Sequence, residues 1–225
     1  MTAPESTAPA QLQSFTVLFE RYHAQIFRYF RAHQIGEEDA ADLTQQVFAQ
    51  SWAHQAGYQP ERGTPAAWIF GIARNLSADF FRRSRPLVSW ETLPVQFSAE
   101  ATPEEIVLYR ESLAFARSLI AALPTDEQEL LTLRFAGQLT HAEIATLLGK
   151  SEAATKKRFA RLLQRLQDRY RRGELDDLIP ATPLPLVAAI EQIYQFPVPR
   201  ELSVDSDAYG HTHDLSDEGT TTWTK

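Results

Sequence analysis

The stretch Pro65–Arg85, PAAWIFGIARNLSADFFRRSR, decides how the rest of the chain is read. Thr64 is a natural helix cap and Pro65 suits the first helical turn. Behind them Ile69, Ile72, Ala73, Leu76 and Phe80 recur at helical spacing, which predicts a helix with one buried stripe. At about 100° per residue, Trp68, Asn75, Asp79 and Arg82 fall together on one flank of that stripe. Arg82, Arg83 and Arg85 close the segment with a basic cluster. Aromatic planes stack on unpaired bases, amides read base edges and guanidinium groups hold phosphate. The strip therefore suits single-stranded nucleic acid. Taken alone, an ordinary core helix with a basic, dipole-compensating end explains it as well.

Upstream, residues 1–13 are rich in Ala, Pro, Ser, Thr and Gln and read as loose chain. Phe15, Leu18, Phe19, Tyr22, Ile26 and Phe30 predict an amphipathic helix over Ser14–His33, broken by Gly36. A second helix is expected over Glu37–His54, with Glu37, Glu38 and Asp39 at its positive end. Leu43, Val47 and Phe48 face inward; Asp42, Gln45, Gln46 and Gln50 leave a polar face, either solvated or a docking surface. The loop AGYQPERGTP, with two Gly and two Pro, then breaks the helix before Pro65.

Downstream, residues 86–101 show no sustained period and read as a flexible linker. Thr102-Pro103-Glu104-Glu105 is a capping box opening a helix to about Ala122. Thr125 with Gln128 repeats that pattern for a helix stopping at Gly137, and Thr140 with Glu143 repeats it again. Ile144, Ala145, Leu147 and Leu148 line a short helix that Gly149 can end in the left-handed conformation, and Ser151 caps the next one. A short helix, a tight Gly turn and a basic helix make a helix-turn-helix pattern. In the last helix Arg158, Arg161, Arg165, Arg169 and Arg172 share a face, and Phe159, Leu163, Leu166 and Tyr170 occupy a different one.

The net charge of −7 hides an asymmetry. Residues 1–172 carry 20 Lys+Arg against 19 Asp+Glu, residues 150–172 carry 9 against 2, and residues 173–225 carry 2 against 10. A basic helix is thus followed directly by an acidic tail. Within the tail, Leu184–Phe196 is an amphipathic piece with Leu186, Ile190, Ile193 and Tyr194 on one side. The polar remainder, from Ser203, reads as disordered. The tail is either a solvated extension with one satellite helix or an inhibitory segment competing with DNA phosphate for the basic helix.

The absence of cysteine excludes disulfides and thiolate metal sites, and His211 and His213 read as solvated. There is no phosphate-cradling glycine loop, HExxH or serine elbow, so no enzyme, metal or cofactor is expected. No apolar run reaches a membrane span of about 20 residues, and a soluble, cytoplasmic protein is expected. The fold expected is all-α, with two small helical domains over 14–85 and 102–172, the linker 86–101 between them, and a partly disordered extension over 173–225.

One module suited to single strands and one suited to a duplex major groove, on one chain, resemble the bacterial sigma-70 family of RNA polymerase sigma factors, specifically the extracytoplasmic-function (ECF) group. AADLTQQVFAQSW resembles the region 2 helix that docks on core polymerase, and WIFGIARNLSADFFRR the helix that melts the downstream promoter element. ALPTDEQELLTLRFAGQLTHAEIATLLGKSEAATKKRFARLLQRL resembles region 4, which reads the upstream element. The resemblance implies core RNA polymerase (its β and β′ subunits) and promoter DNA as partners, with an anti-sigma factor as a further one. It implies core docking by Asp39, Asp42, Leu43, Gln46 and Phe48, with Asp42 and Gln46 facing the polymerase. It implies downstream-element contacts by Trp68, Asn75, Asp79, Arg82 and Arg83, with Tyr58 and Arg62 in the loop that accepts a flipped base. Lys156, Lys157, Arg158 and Arg161 match the DNA-facing positions of the upstream-element helix. Two features depart from the family: Ala153-Ala154-Thr155 stands where Gly-Thr-Val is usual, which shifts a phosphate-reaching hydroxyl by one position, and more than fifty residues follow Arg172. The rival readings are a stand-alone helix-turn-helix regulator and an interaction protein whose basic helix pairs with an acidic partner.

Overall fold

Helix α3, Pro65–Arg83, lies at the centre of the computed structural model, which describes residues 8–83, 102–175, 184–199 and 202. Its buried side is wider than the expected stripe. Ala66, Phe70 and Ser77 are buried along with Ile69 and Ala73, while Ile72, Leu76 and Phe80 pack at the margin. The width has a cause: α3 is covered from two directions, by α1 (Ala8–Ala32) and α2 (Glu37–Ala53) on one side and by α6 (His141–Leu148) on the other.

The first three helices form one layer. α1 begins at Ala8, earlier than the Ser14 start expected from its apolar period, so part of the stretch read as loose is helical. Ala, Gln and Ser tolerate a helix without supplying an apolar face, and periodicity alone cannot see them. The helix ends where Gln34 takes a left-handed conformation (φ 62°), two residues before the expected break. Gly36 instead serves as the N-cap of α2. Tyr22, Ile26, Phe27, Tyr29 and Phe30 of α1 are buried, as are Leu43, Val47 and Phe48 of α2.

The second layer comprises α4 (Pro103–Ala121), α5 (Thr125–Phe135), α6 and α7 (Glu152–Leu175). Thr102 and Thr140 form the complete capping boxes expected of them, each accepting from the backbone N–H of Glu105 or Glu143 while that glutamate accepts from the cap's own N–H. Two orphan donors are satisfied at each helix start. The Thr125 box does not form. Pro124 is the N-cap of α5 and Thr125 lies already inside the first turn. Gln128 instead donates to the carbonyls of Leu123 (2.8 Å) and Ala121 (3.3 Å), tying α5 to the end of α4. Gly149 ends α6 in the left-handed conformation (φ 63°), and the Ser151 hydroxyl accepts from the Ala154 N–H at 3.2 Å at the start of α7.

Beyond α7 the chain returns as α8, Leu186–Ile193, which lies on α4 and α7 with Leu186, Ala189, Ile190 and Ile193 buried. The amphipathic piece expected in the tail is thus a packed element. The expected linker 86–101, residues 1–7, Arg85, Asp176 and Asp177, and the tail from Ser203, with His211 and His213, lie outside the described residues. The described residues are all-helical, and their apolar side chains form one continuous cluster running from Tyr22 to Leu202 through both layers.

Candidate nucleic-acid interface

A cleft of about 490 Å³ opens where the α2–α3 loop meets α3. The loop makes two short 3₁₀ turns, Gln55–Gly57 and Pro60–Arg62, with Pro60 opening the second. The Tyr58 hydroxyl donates to the Gly63 carbonyl at 3.0 Å and closes the loop on itself. The Tyr58 ring then lies 5.3 Å from that of Trp68, tilted by 44°. Arg62 and Asn75 line the same cleft. Four of the residues singled out in the sequence, Tyr58, Arg62, Trp68 and Asn75, are therefore brought together around one concavity. Two aromatic faces, an amide and a guanidinium provide stacking, edge recognition and phosphate attraction in one place.

Trp68 is half-buried rather than fully displayed on a flank, with the tilted Tyr58 ring beside it. Asp79 does not join the cleft; it forms an ion pair with Arg82 on the next turn. Arg82 and Arg83 are exposed at the end of α3.

On α2, Asp39, Asp42 and Gln46 are exposed on one polar face. Leu43 and Phe48 are buried beneath it, Phe48 against the ring of Phe19 at 4.7 Å, so they hold the helix in place. Trp52, partly exposed at the same end of α2, packs edge-on against Phe15 at 4.9 Å.

The basic helix α7 presents Lys156, Lys157, Arg158 and Arg161 to solvent. Lys156 pairs with Glu152 one turn back at 2.6 Å, and Arg158 reaches across to Asp126 at the start of α5. Arg165 does the same with Glu127 at 2.6 Å. The hydrogen bond from Arg158 holds the Asp126 carboxyl below its ordinary value. Part of the arginine face is thus already paired within its own domain. Thr155, the hydroxyl displaced by one position, is buried and donates to the Ser151 carbonyl at 3.1 Å, so it is turned into its own helix and away from any phosphate.

Two contributors escape sequence reasoning. Thr146 and Leu147 of α6 line the far wall of the Tyr58–Trp68 cleft. Their one signal is that five apolar residues in an eight-residue helix cover more than one face. The other is Glu129 of α5, 13% exposed, which accepts from Tyr29 Oη at 3.1 Å, meets His33 Nε2 at 2.8 Å and pairs with Arg74 Nε at 3.4 Å. Burial pushes its carboxyl up, but the hydrogen bonds and charges of His33, Tyr29 and Arg74 outweigh burial and hold it below the ordinary glutamate value. A glutamate just past an acidic first turn carries no mark of that role. Among the described residues no group of three acidic or histidine side chains is placed to hold a metal ion, and no helix is long and apolar enough to cross a membrane.

The comparisons with known proteins agree with this geometry. Residues 18–86 match the family model for Sigma-70 region 2, and residues 116–166 match that for Sigma-70, region 4. The chain is similar to the ECF RNA polymerase sigma factor BldN of Streptomyces coelicolor, 32% identical over 69% of this chain and 60% of that protein. It is also similar to the ECF RNA polymerase sigma factor SigD of Mycobacterium tuberculosis, 33% identical over 64% of this chain and 70% of that protein. The match thus spans less than two thirds of BldN. Among solved structures, it resembles CnrH in complex with the cytosolic domain of CnrY, with a TM-score of 0.50 and 25% identity over 76% of this chain and 94% of that one. Both matched regions, in this order, and the likeness to SigD place the chain in one family: it belongs to the sigma-70 family of RNA polymerase sigma factors, in the ECF group.

Proposed function

We propose that this chain is a dissociable promoter-specificity subunit of bacterial RNA polymerase, with no catalytic activity of its own. In this reading the polar face of α2, through Asp39, Asp42 and Gln46, docks on core polymerase. The Tyr58–Trp68 cleft with Arg62 and Asn75 takes an unstacked base of the downstream element, while Arg82 and Arg83 attract the strand's backbone. Capture of a base needs a concavity, because unstacking costs a few kcal/mol that only enclosing contacts repay. Lys156, Lys157, Arg158 and Arg161 of α7 read the upstream element in the major groove. The observation that carries this reading is the pairing of an aromatic cleft in the first matched region with a capped helix-turn-helix in the second. CnrH, the similar chain, was solved with the cytosolic domain of CnrY, which supports a protein regulator of the anti-sigma kind as a further partner.

The test is reconstitution. Purified protein added to sigma-free core polymerase is expected to produce promoter-dependent transcripts that neither component makes alone. A chain that binds duplex DNA without polymerase and adds no transcript would instead be a stand-alone regulator.

A further inference from the structure

The two sigma regions do not sit apart in this structure. Helix α6 of the second lies on α3 of the first, with Leu147 Cδ1 3.8 Å from the site a Cβ would take on Gly71. Thr64 Oγ1 donates to Glu143 of α6 at 3.4 Å. Thr146 and Leu147 thereby fill one wall of the cleft that holds Tyr58 and Trp68. With α6 packed there, a strand cannot run from the cleft across the α3 surface that α6 covers.

The tail adds a further tie between the two regions, beside the direct contact of α6 with α3. The extension is anchored on the second region, where Tyr170 Oη donates to the Leu184 carbonyl at 2.9 Å and α8 buries its apolar side on α4 and α7. It then runs on past the end of α8. Tyr194 is buried and stacks on Phe135 of α5, 6.1 Å apart and 11° from parallel. Phe196, also buried, is held by the first region: Arg28 Nε of α1 donates to its carbonyl at 3.2 Å, and the Arg31 guanidinium lies 5.8 Å from its ring centre. One short segment thus touches both regions at a buried seam.

We propose that residues 184–199 form an intramolecular strap that holds the chain closed, with α6 walling off one side of the single-strand cleft, and that release of the strap opens that side to a strand. The proposal rests on the reading of that cleft given above. It differs from competition by tail acidity: the contacts are apolar and hydrogen-bonded, and salt leaves them in place.

The chain contains no cysteine, so a donor–acceptor dye pair can be attached specifically through Ala49→Cys on α2 and Gln164→Cys on α7, both exposed. Energy transfer is compared between the full chain, a truncation after Leu175, and Arg28→Ala/Arg31→Ala. The last variant cuts the tie to α1 and leaves α8 seated, so it decides the question if truncation unfolds the second region. Lower transfer in the double variant, at unchanged helicity, supports the strap; unchanged transfer in that variant overturns it. In the same samples, affinity is measured for a fluorescein-labelled single-stranded oligonucleotide of mixed sequence. If the closed form holds about 90% of the population, opening tightens binding about tenfold. Equal affinity of closed and opened chains overturns the occlusion. Failure of both to bind, with transfer lowered, overturns the single-strand reading of the cleft while the distance result still upholds the strap.

Discussion

Thr146 of α6 lies so close to Gly63 that a methyl group built on that glycine would stand 2.8 Å from Thr146 Cγ2. Gly63 also takes φ 154°, a backbone conformation that side chains disfavour. Gly63→Ala is therefore expected to destabilise the closed chain by about 1–3 kcal/mol through strain and contact together. Adding Thr146→Ala should recover the contact part and leave the backbone part. A double-mutant cycle read by thermal unfolding checks this; purely additive losses would mean that the two regions are not in contact in solution.

Glu129 links the regions through His33, Tyr29 and Arg74. Its folded pKa lies below the ordinary value of 4.5, so its contribution to stability is complete above that pH and disappears as the pH falls through the lower folded value. Glu129→Gln should cost about 1–3 kcal/mol at neutral pH, because one of the two accepting oxygens becomes an NH2 donor and the charge facing Arg74 is lost. The variant should also show a shallower loss of stability below pH 4.5 than the parent. Parallel acid profiles for the two proteins would contradict the assignment.

Trp68→Ala with Asn75→Ala removes one aromatic wall and the amide of the cleft. Stacking is worth about 1–3 kcal/mol per base, so open-complex formation should fall while core binding persists. Permanganate footprinting reads this directly, and undiminished thymine reactivity would exclude the cleft as a base site. Because Trp68 also packs on Tyr58, a modest loss of thermal stability is expected as well.

Arg161 is exposed on α7, whereas Arg158 is already paired with Asp126. Arg161→Ala is expected to cost about 1–3 kcal/mol at the upstream element and to relax specificity at one position. Asp126→Asn should release Arg158 and strengthen binding to duplex DNA. Binding titrations across promoter variants check both; an Arg161→Ala protein that binds every variant as tightly as the parent would displace the recognition helix from the groove.

The capped helices are legible in the sequence because capping is local: Thr102, Thr140, Gly149 and Ser151 each settle an element boundary within four residues. Thr125 shows the limit of that logic, since the same spelling fits one position inside a helix, and Pro124 takes the cap. The cleft is largely legible, because Tyr58 and Arg62 lie in a loop that proline and glycine pin against Trp68 and Asn75. The closure of α6 on α3 is not. Leu147 adds to an apolar face in the same way whether its partner is its own domain or another, and only the folded chain shows it against Gly71. Phe196 is hidden for the same reason: after a proline-bounded helix, nothing local marks it as the contact to Arg28 and Arg31.

The central claim, that this chain directs polymerase to promoters, is tested most directly by run-off transcription with sigma-free core polymerase. The parent protein should yield promoter-dependent transcripts. Asp42→Arg/Gln46→Arg, on the exposed face of α2, should yield none and should fail to be retained by core polymerase in a pull-down. A parent protein that gives no transcript from any promoter of a genomic library, or a double variant that binds core polymerase and transcribes normally, would contradict it.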